Sequence, residues 1–409
     1  MPLRATSRTW TRVAISALAL AVAATVALPS AQARSSGSPA ATSAQRAAAA
    51  RAAATDAALQ THFATDHGLF TETFPNSGDN AYSYEWPYSQ AMVGAIDRAG
   101  IRSDSSATNK SATRTAKARI DGLAAYWDSA PAAGPAHYAS YVVAPLGGGG
   151  DAFYDDNEWD GLALIQWYQQ TGDRAALKRA EQIFDLVVYG WDDDPSHPCP
   201  GGVFWTQAPW SQDRNTVSNG PGAEIGAHLY LITGKKHYLD WAKKMVAWTD
   251  SCLLAPNGLY FDNIKLDGSI DRAQWSYNQG VMLGAKTLLY KATGQRHYLG
   301  EAQAIAAAGL AFYGAIQDDG QTHYFSQPAR FNAIFFANLL LLGSVAPDPR
   351  YLAATRRFEG QARQRYFDKT TGLFRFDGST APVTLLEQAA MVRIQSMLAW
   401  SPKDWSKLT

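Results

Sequence analysis

Three segments of the chain carry the same succession of apolar and polar positions: WYQQTGDRAALKRAEQIF from Trp167, LYLITGKKHYLDWAKKMV from Leu229 and LLYKATGQRHYLGEAQAIA from Leu288. In each, an apolar stretch runs into a Thr-Gly pair, at Thr171, Thr233 and Thr293, and a second amphipathic stretch starts directly after it. Glycine following an apolar helical run reads as a helix C-cap, so each copy predicts a helix, tight turn, helix unit that recurs roughly every 60 residues. Within the second helix of the third copy, Tyr298, Ala302, Ile305, Ala306 and Gly309 follow the spacing i, i+4, i+7, i+8, i+11, and Tyr238, Ala242, Met245, Val246 and Thr249 repeat it. One small or apolar face of each second helix therefore packs inward.

Extending the unit in both directions predicts helices over 43–66, 84–100, 113–128, 153–171, 174–190, 214–233, 236–252, 274–293, 297–313, 328–344, 349–364 and 385–400. Strand-like alternation is confined to short pieces such as Tyr141 to Val143 and Leu259 to Asn263. Six antiparallel helix pairs stack as an open solenoid or close into a toroid. No polar capping repeat is visible at either end, which favours closure with the first helix beside the last. The expected fold is all-α, an (α/α)6 barrel of six inner and six outer helices. Counting back equally from each glycine, Asp156 corresponds to Ser218 and Asn278, and Asp155 to Val217 and Tyr277. By looser analogy Tyr84, Glu85 and Trp86 open the first inner helix, Arg330 and Asn332 the fifth, and Glu387 and Gln388 the sixth. Parallel inner helices bring these residues to one mouth; the competing role for each is an ordinary helix N-cap.

Composition narrows the partners. The 36 basic and 36 acidic residues cancel, which argues against a polyanion such as nucleic acid or an anionic membrane surface and favours a neutral substrate. Thirteen Trp, nineteen Tyr and sixteen Phe supply a large core and, beyond it, flat surfaces on which sugar rings stack. The first residues hold three arginines, an apolar run from Val13 to Leu28 and then Ala31-Gln32-Ala33, the pattern of a secretory signal with a small-residue cleavage site. The expected organisation is a signal peptide over 1–33, a flexible segment over 34–42 and one catalytic domain over 43–409. The mature protein is expected outside the cell, as a monomer without a membrane span. Its two cysteines, Cys199 and Cys252, then face an oxidising compartment. They are either unpaired or joined, and joining them stabilises the fold by about 4 kcal/mol in the chain-entropy model.

The candidate chemistry centres on FYDDNEW, where Asp155 and Asp156 stand side by side between aromatic residues at the start of a predicted helix. Neighbouring helical residues point about 100° apart, so adjacent carboxylates at a helix start flank one bound atom from two sides. Retaining glycosidases hold nucleophile and acid/base about 5–5.5 Å apart, and inverting ones leave a wider gap for water; adjacent aspartates suit the narrow gap. The helix N-terminus favours ionisation of one, while mutual repulsion keeps the other protonated. Other clusters read as structural. Asp155 to Asp160 lacks the glycine and final glutamate of an EF-hand loop, and Asp192 to Asp194 before Pro195 reads as a solvated turn. The histidines lack metal-ligand spacing, and Gly147 to Gly150 lacks the strand and G-x-G-x-x-G context of a dinucleotide site. Neither a metal nor any other cofactor is expected.

Phe153 to Asn157, followed by Trp159 and Gly161-Leu162-Ala163, resembles the catalytic segment of glycoside hydrolase family 76, the endo-α-1,6-mannanases. The resemblance continues through Gly201 to Trp205, Asn215 to Gly220, Trp275 to Gly280 and Phe331 to Phe335, in family order over nearly the whole mature chain. It implies an (α/α)6 fold and a retaining mechanism without metal, with Asp155 as nucleophile and Asp156 as acid/base. The chain departs from the pattern at Asp160, where many members carry a second aromatic residue. In the implied cleft Tyr154, Trp159, Trp205, Trp275 and Tyr277 are candidates to stack on pyranose faces, and Asn215, Asn219, Asp262, Asn278 and Gln279 to bond hydroxyls; each aromatic has core packing as its alternative. The function so implied is hydrolysis of a polysaccharide, α-1,6-mannan. Transglycosylation on the same fold, action on another α-linked polysaccharide and silent mannan binding stand as alternatives.

Overall fold

Gly172, Gly234 and Gly294 close three helices in the left-handed conformation, with φ of 79°, 71° and 71°. In the computed structural model their N–H groups return to the carbonyls of Tyr168, Tyr230 and Tyr290 at 2.7, 2.8 and 2.8 Å. The preceding threonine hydroxyls donate to the carbonyls of Trp167, Leu229 and Leu289 at 2.8, 2.6 and 2.7 Å. Each glycine thus satisfies a carbonyl that a helix end leaves open, and the threonine hydroxyl adds a second bond to the carbonyl before it. The structure describes residues 41–78, 80–102, 105–315, 320–378 and 380–409. The expected leader over 1–33 lies outside them, and of the 34–42 segment only residues 41 and 42 are described; Thr42 caps the first helix.

Twelve α-helices occur among the described residues: α1 (Ser43–Phe63), α2 (Glu85–Ala99), α3 (Ser106–Gly122), α4 (Tyr154–Thr171), α5 (Arg174–Tyr189), α6 (Thr216–Thr233), α7 (Lys236–Cys252), α8 (Ser276–Thr293), α9 (Arg296–Tyr313), α10 (Ala329–Gly343), α11 (Pro349–Tyr366) and α12 (Leu385–Ala399). The ring closes: α2 packs on α4, α4 on α6, α6 on α8, α8 on α10, α10 on α12 and α12 back on α2, with α1 against α12. The remaining odd-numbered helices form the outer layer, α3, α5, α7 and α9 each against the inner helix before it and α11 against α10 and α12.

Inner and outer helices differ as their sequences require. Phe335 to Leu342 on α10 is apolar or small on almost every side and wholly buried, because an inner helix meets neighbours all round. On α9, by contrast, burial is confined to Ala302, Ile305, Ala306, Gly309 and Tyr313, close to the expected stripe. Gly280 sets the spacing between α8 and α10, since a Cβ there would lie 2.8 Å from the Phe335 Cα.

The expected third helix needs correction. It begins seven residues earlier than the pattern suggested, where Ser105 caps it through the Thr108 N–H, and it ends at Gly122. Leu123–Tyr126 is a 3-10 turn and Trp127–Asp128 a strand. Tyr141 to Val143 forms no strand, and of Leu259 to Asn263 only Asn263 enters one. The strands are β1 (Thr73–Phe74), β2 (Trp127–Asp128), β3 (His137–Tyr138), β4 (Asp213–Asn215), β5 (Asn263–Lys265), β6 (Ile270–Asp271) and β7 (Val383–Thr384). β1 pairs with β7, β2 with β3, and β4, β5 and β6 form one antiparallel sheet in which Asn215 faces Asn263. All lie in connections that lead into inner helices, so the short sheets gather at one end of the barrel. Cys199 and Cys252 are joined, with Cα atoms 6.1 Å apart, tying the loop before β4 to the end of α7. Among the described residues no helix is long and apolar enough to cross a membrane.

Candidate active site

The second residue of every inner helix lines one cleft at that end: Trp86, Asp155, Val217, Tyr277, Arg330 and Leu386. The repeat register predicted this mouth for these residues other than Leu386 and for Asp156 and Tyr84, whereas Ser218, Glu85, Asn332 and Glu387, expected there too, are buried and do not line it; the cleft volume is about 840 Å³. Ligand sites span roughly 300–1,000 Å³, so the cleft has room for several sugar rings. Trp159, one turn along α4 from Asp155, lines it as well, together with Trp205, Asn215 and Asp262. Phe331 gathers an aromatic wall, its ring centroid 4.2 Å from Tyr277, 5.5 Å from Trp275 and 6.3 Å from Trp86. The register marks Val217 and Tyr277 directly. Phe331, Leu386, Glu72 and Asp213 also line the cleft and went unrecognised as site residues in the sequence; position two of the sixth inner helix would have found Leu386, whereas the loop carboxylates carry no periodic signal.

Two positions further on, about 200° round the helix, the fourth residue faces away from the cleft and holds the backbone that precedes it. Asn157 accepts from the Tyr138 N–H at 2.8 Å and donates to the Tyr138 carbonyl at 2.9 Å. Asn219 accepts from the Val203 N–H at 3.0 Å and donates to the Asn215 carbonyl at 2.7 Å. Gln279 accepts from the Tyr260 N–H at 2.7 Å and donates to the Tyr260 carbonyl at 3.0 Å; Gln388 grips Phe374 in the same way at 2.7 and 2.8 Å. Asn219 and Gln279 are therefore clamps that fix the mouth, and their amides are occupied rather than free for sugar hydroxyls. The signal was present, because Asn157, Asn219 and Gln279 stand equally far from the three capping glycines. A residue repeated in every copy serves the scaffold.

Three more expected site residues are placed differently. Tyr154 is buried beneath Gly190, where a Cβ would lie 2.4 Å from the ring, and it does not reach the cleft. Trp275 is the residue before α8 and backs Phe331 instead of lining the cleft. Asn278 is wholly buried and works through Asp262, donating to its Oδ1 at 2.9 Å. Nor is Asp192 a solvated turn residue: it is buried and bound to the fully buried Arg214 at 2.6 Å, which fixes the loop beside Trp205.

The paired aspartates have unequal surroundings. Asp155 Oδ1 accepts the Asp156 N–H at 3.0 Å and Oδ2 the Trp205 indole N–H at 3.3 Å. Burial pushes its pKa up to about 7, and these two donors oppose the rise. Asp156 is pushed well above the carboxylate range, first by burial and then by the charges of Asp155 and Asp160, with no donor to offset them. Asp262 is likewise raised by burial, against the donors Asn278 and Asn263. Among the described cleft-lining residues Arg330 is the sole cation, and it is paired with Glu387. The cleft can thus offer one carboxylate prepared to ionise and one prepared to stay protonated, beneath aromatic walls that suit an uncharged, ring-bearing ligand.

A closed (α/α)6 barrel with a dicarboxylate at the mouth of its inner helices defines a protein of the glycosidase class. The family model of glycosyl hydrolase family 76 matches residues 46–372, and the chain belongs to that family. The mannan endo-1,6-alpha-mannosidase DCW1 of Saccharomyces cerevisiae is 30% identical over 190 residues, 42% of this chain and 41% of the relative. DCW1 of Candida albicans is 33% identical over 129 residues, 29% of this chain and 28% of the relative. The matched segments span less than half of these relatives. Among solved structures, the family 76 mannosidase Bt3792 of Bacteroides thetaiotaomicron shares the fold with a TM-score of 0.76 at 24% identity, over 86% of this chain and 98% of that one. An inactive variant of an α-1,6-mannanase of Salegentibacter sp. HEL1_6, in complex with α-1,6-mannotriose, shares it with a TM-score of 0.69 at 23% identity, over 86% and 99% of the two chains.

Proposed function

We propose that this protein is an exported endo-acting hydrolase of α-1,6-linked mannan that retains anomeric configuration. The observation that carries the reading is the asymmetry of the adjacent aspartates: Asp155 holds two N–H donors and Asp156 holds none. In the first step the Asp155 carboxylate attacks the anomeric carbon while Asp156 gives its proton to the departing glycosidic oxygen, so that one C–O bond forms as another breaks. In the second step Asp156 takes a proton from water, the oxygen of that water attacks the anomeric carbon, and the Asp155 ester is released. Trp159, Trp205, Tyr277 and Trp86 serve as ring platforms, and Asn215 and Asp262 as hydroxyl partners. The names of the yeast relatives and the mannotriose held by the Salegentibacter neighbour support the substrate class. The Cys199–Cys252 bond supports an oxidising location, and the leader read from the sequence supports export; the catalytic domain over 43–409 is proposed to act as a monomer.

The test is incubation of the secreted protein with linear α-1,6-mannan, with products sized over time and the first-formed anomer read by proton NMR. Internal cleavage giving the α anomer is expected. A β anomer appearing first would overturn retention, chain lengthening without new reducing ends would establish transfer to sugar instead of water, and an unchanged polymer would overturn the substrate.

A further inference from the structure

Below the two aspartates lies a second carboxyl pair that the proposed steps do not use. Glu85, the first residue of α2, and Asp160, on the second turn of α4, are both 0% exposed, and their carboxyl groups lie near enough to act directly on each other. Among the described residues their four oxygens meet no hydrogen-bond donor. Buried carboxyls that meet without any other donor need at least one proton between them, and once the first proton has left, the pair holds one proton and one charge. Asp160 stands four residues after Asp156, on the same helix face.

We propose that Glu85 and Asp160 are positioning residues for the acid/base step, sharing a proton so that one negative charge remains a helical turn beneath Asp156 and holds the Asp156 proton until substrate arrives. The inference rests on the reading of Asp156 as the acid/base. Charges facing the pair come from several elements. On α4 they are Asp155 and Asp156. Tyr88 on α2 and Tyr138 on β3 are phenols held neutral beside it. On α5, Arg179 acts on Asp160 through its field while its guanidinium stacks on Trp127, 3.3 Å from the ring centroid. Glu158 lies between the fields of Asp155 and Glu224, Glu224 faces Arg393 on α12, and Arg330 on α10 is paired with Glu387 on α12. Among the described residues no cation therefore forms a hydrogen-bonded pair with the Glu85–Asp160 charge. Burial favours Glu85 as the proton holder, since it stands well above the carboxylate range and Asp160 at about 7.

The pH profile of kcat/KM on linear α-1,6-mannan separates this role from a structural one. Glu85→Gln keeps a donor to Asp160 and hence the charge, so the alkaline limb should stay where it is in the wild type. Adding Asp160→Asn in that background removes the charge, and the alkaline limb should move toward neutral pH by about one unit, the acid limb staying in place. An unmoved limb in the folded double variant, or an equal shift in Glu85→Gln alone, overturns the proposal. Asp156→Asn, assayed beside them on an aryl mannoside with an acidic leaving group, should lose the alkaline limb. If the limb survives there, the acid/base reading fails and takes the pair with it; an unmoved limb in the double variant alone overturns only the pair.

Discussion

The two ends of the barrel handle buried charge in opposite ways. At the far end, where the inner helices finish, Asp97 is 0% exposed and meets Arg393 at 3.3 Å and the Gln166 amide at 2.7 Å. At the mouth Asp155, Asp156, Asp160, Glu85 and Glu158 are crowded together with no ion-paired cation among them. A buried charge left unpaired costs several kcal/mol or is neutralised by a proton. The far end gives its carboxylate a cation, which opposes burial without cancelling it, since Asp97 still stands at about 6; the mouth leaves its carboxyls to share protons, which is the condition for acid/base work near neutral pH.

The largest expected effect lies at the mouth. Asp155→Asn should lower turnover on every substrate by roughly four to six orders of magnitude, with the melting temperature held or raised because a buried charge is removed. Asp156→Asn should lose about 10²–10⁴-fold on mannan and much less on an aryl mannoside with an acidic leaving group, with external azide restoring part of the activity. Equal losses on both substrates would end the assignment of separate roles. At the far end Arg393→Leu leaves Asp97 unpaired and should cost about 3–5 kcal/mol by denaturant titration, while the folded fraction keeps its kcat. A fall in kcat at unchanged stability would break the division between the two ends.

Two neighbours sharpen the same division within the mouth. Gln279→Ala strips partners from the Tyr260 N–H and carbonyl and should cost about 1–3 kcal/mol of stability, with the activity of the folded fraction intact. Asn278→Ala should do the reverse, since it frees Asp262 beside the cleft: kcat falls about tenfold, one hydrogen bond to a charged group, and the melting temperature barely moves. pH acts on stability through the same buried carboxyls. Asp155 and Asp160 are raised to about 7 and Asp97 to about 6, so the native state binds more protons than the unfolded chain between the ordinary carboxylate range and about 7. Their contribution is full below that window and is lost as pH rises through it. Thermal scans should therefore show a melting temperature that rises on acidification from neutral pH, until groups with lowered pKa such as Asp56, held down by Arg119 and Arg98, lose their charge in stronger acid.

Local signals along the chain determined the helices and their order. Thr-Gly caps, the stripe on α7 and α9, and the apolar run of α10 are each dictated by neighbours within a few turns, and a count from the capping glycines was enough to bring Asp155, Val217 and Tyr277 to one mouth. The start of α3 was hidden because Ser105 to Ala112 is polar and exposed on most sides, so helix capping rather than burial places it. Only the tertiary structure decided which mouth residues face the cleft. Residues two apart on a helix point about 200° apart, so the same stretch, Thr216 to Asn219 or Ser276 to Gln279, supplies one side chain to the cleft and one amide to the scaffold, and residue type does not tell them apart. Proton sharing between Glu85 and Asp160 was likewise beyond the sequence, because 75 positions separate them and only closure of the ring buries both without a cation.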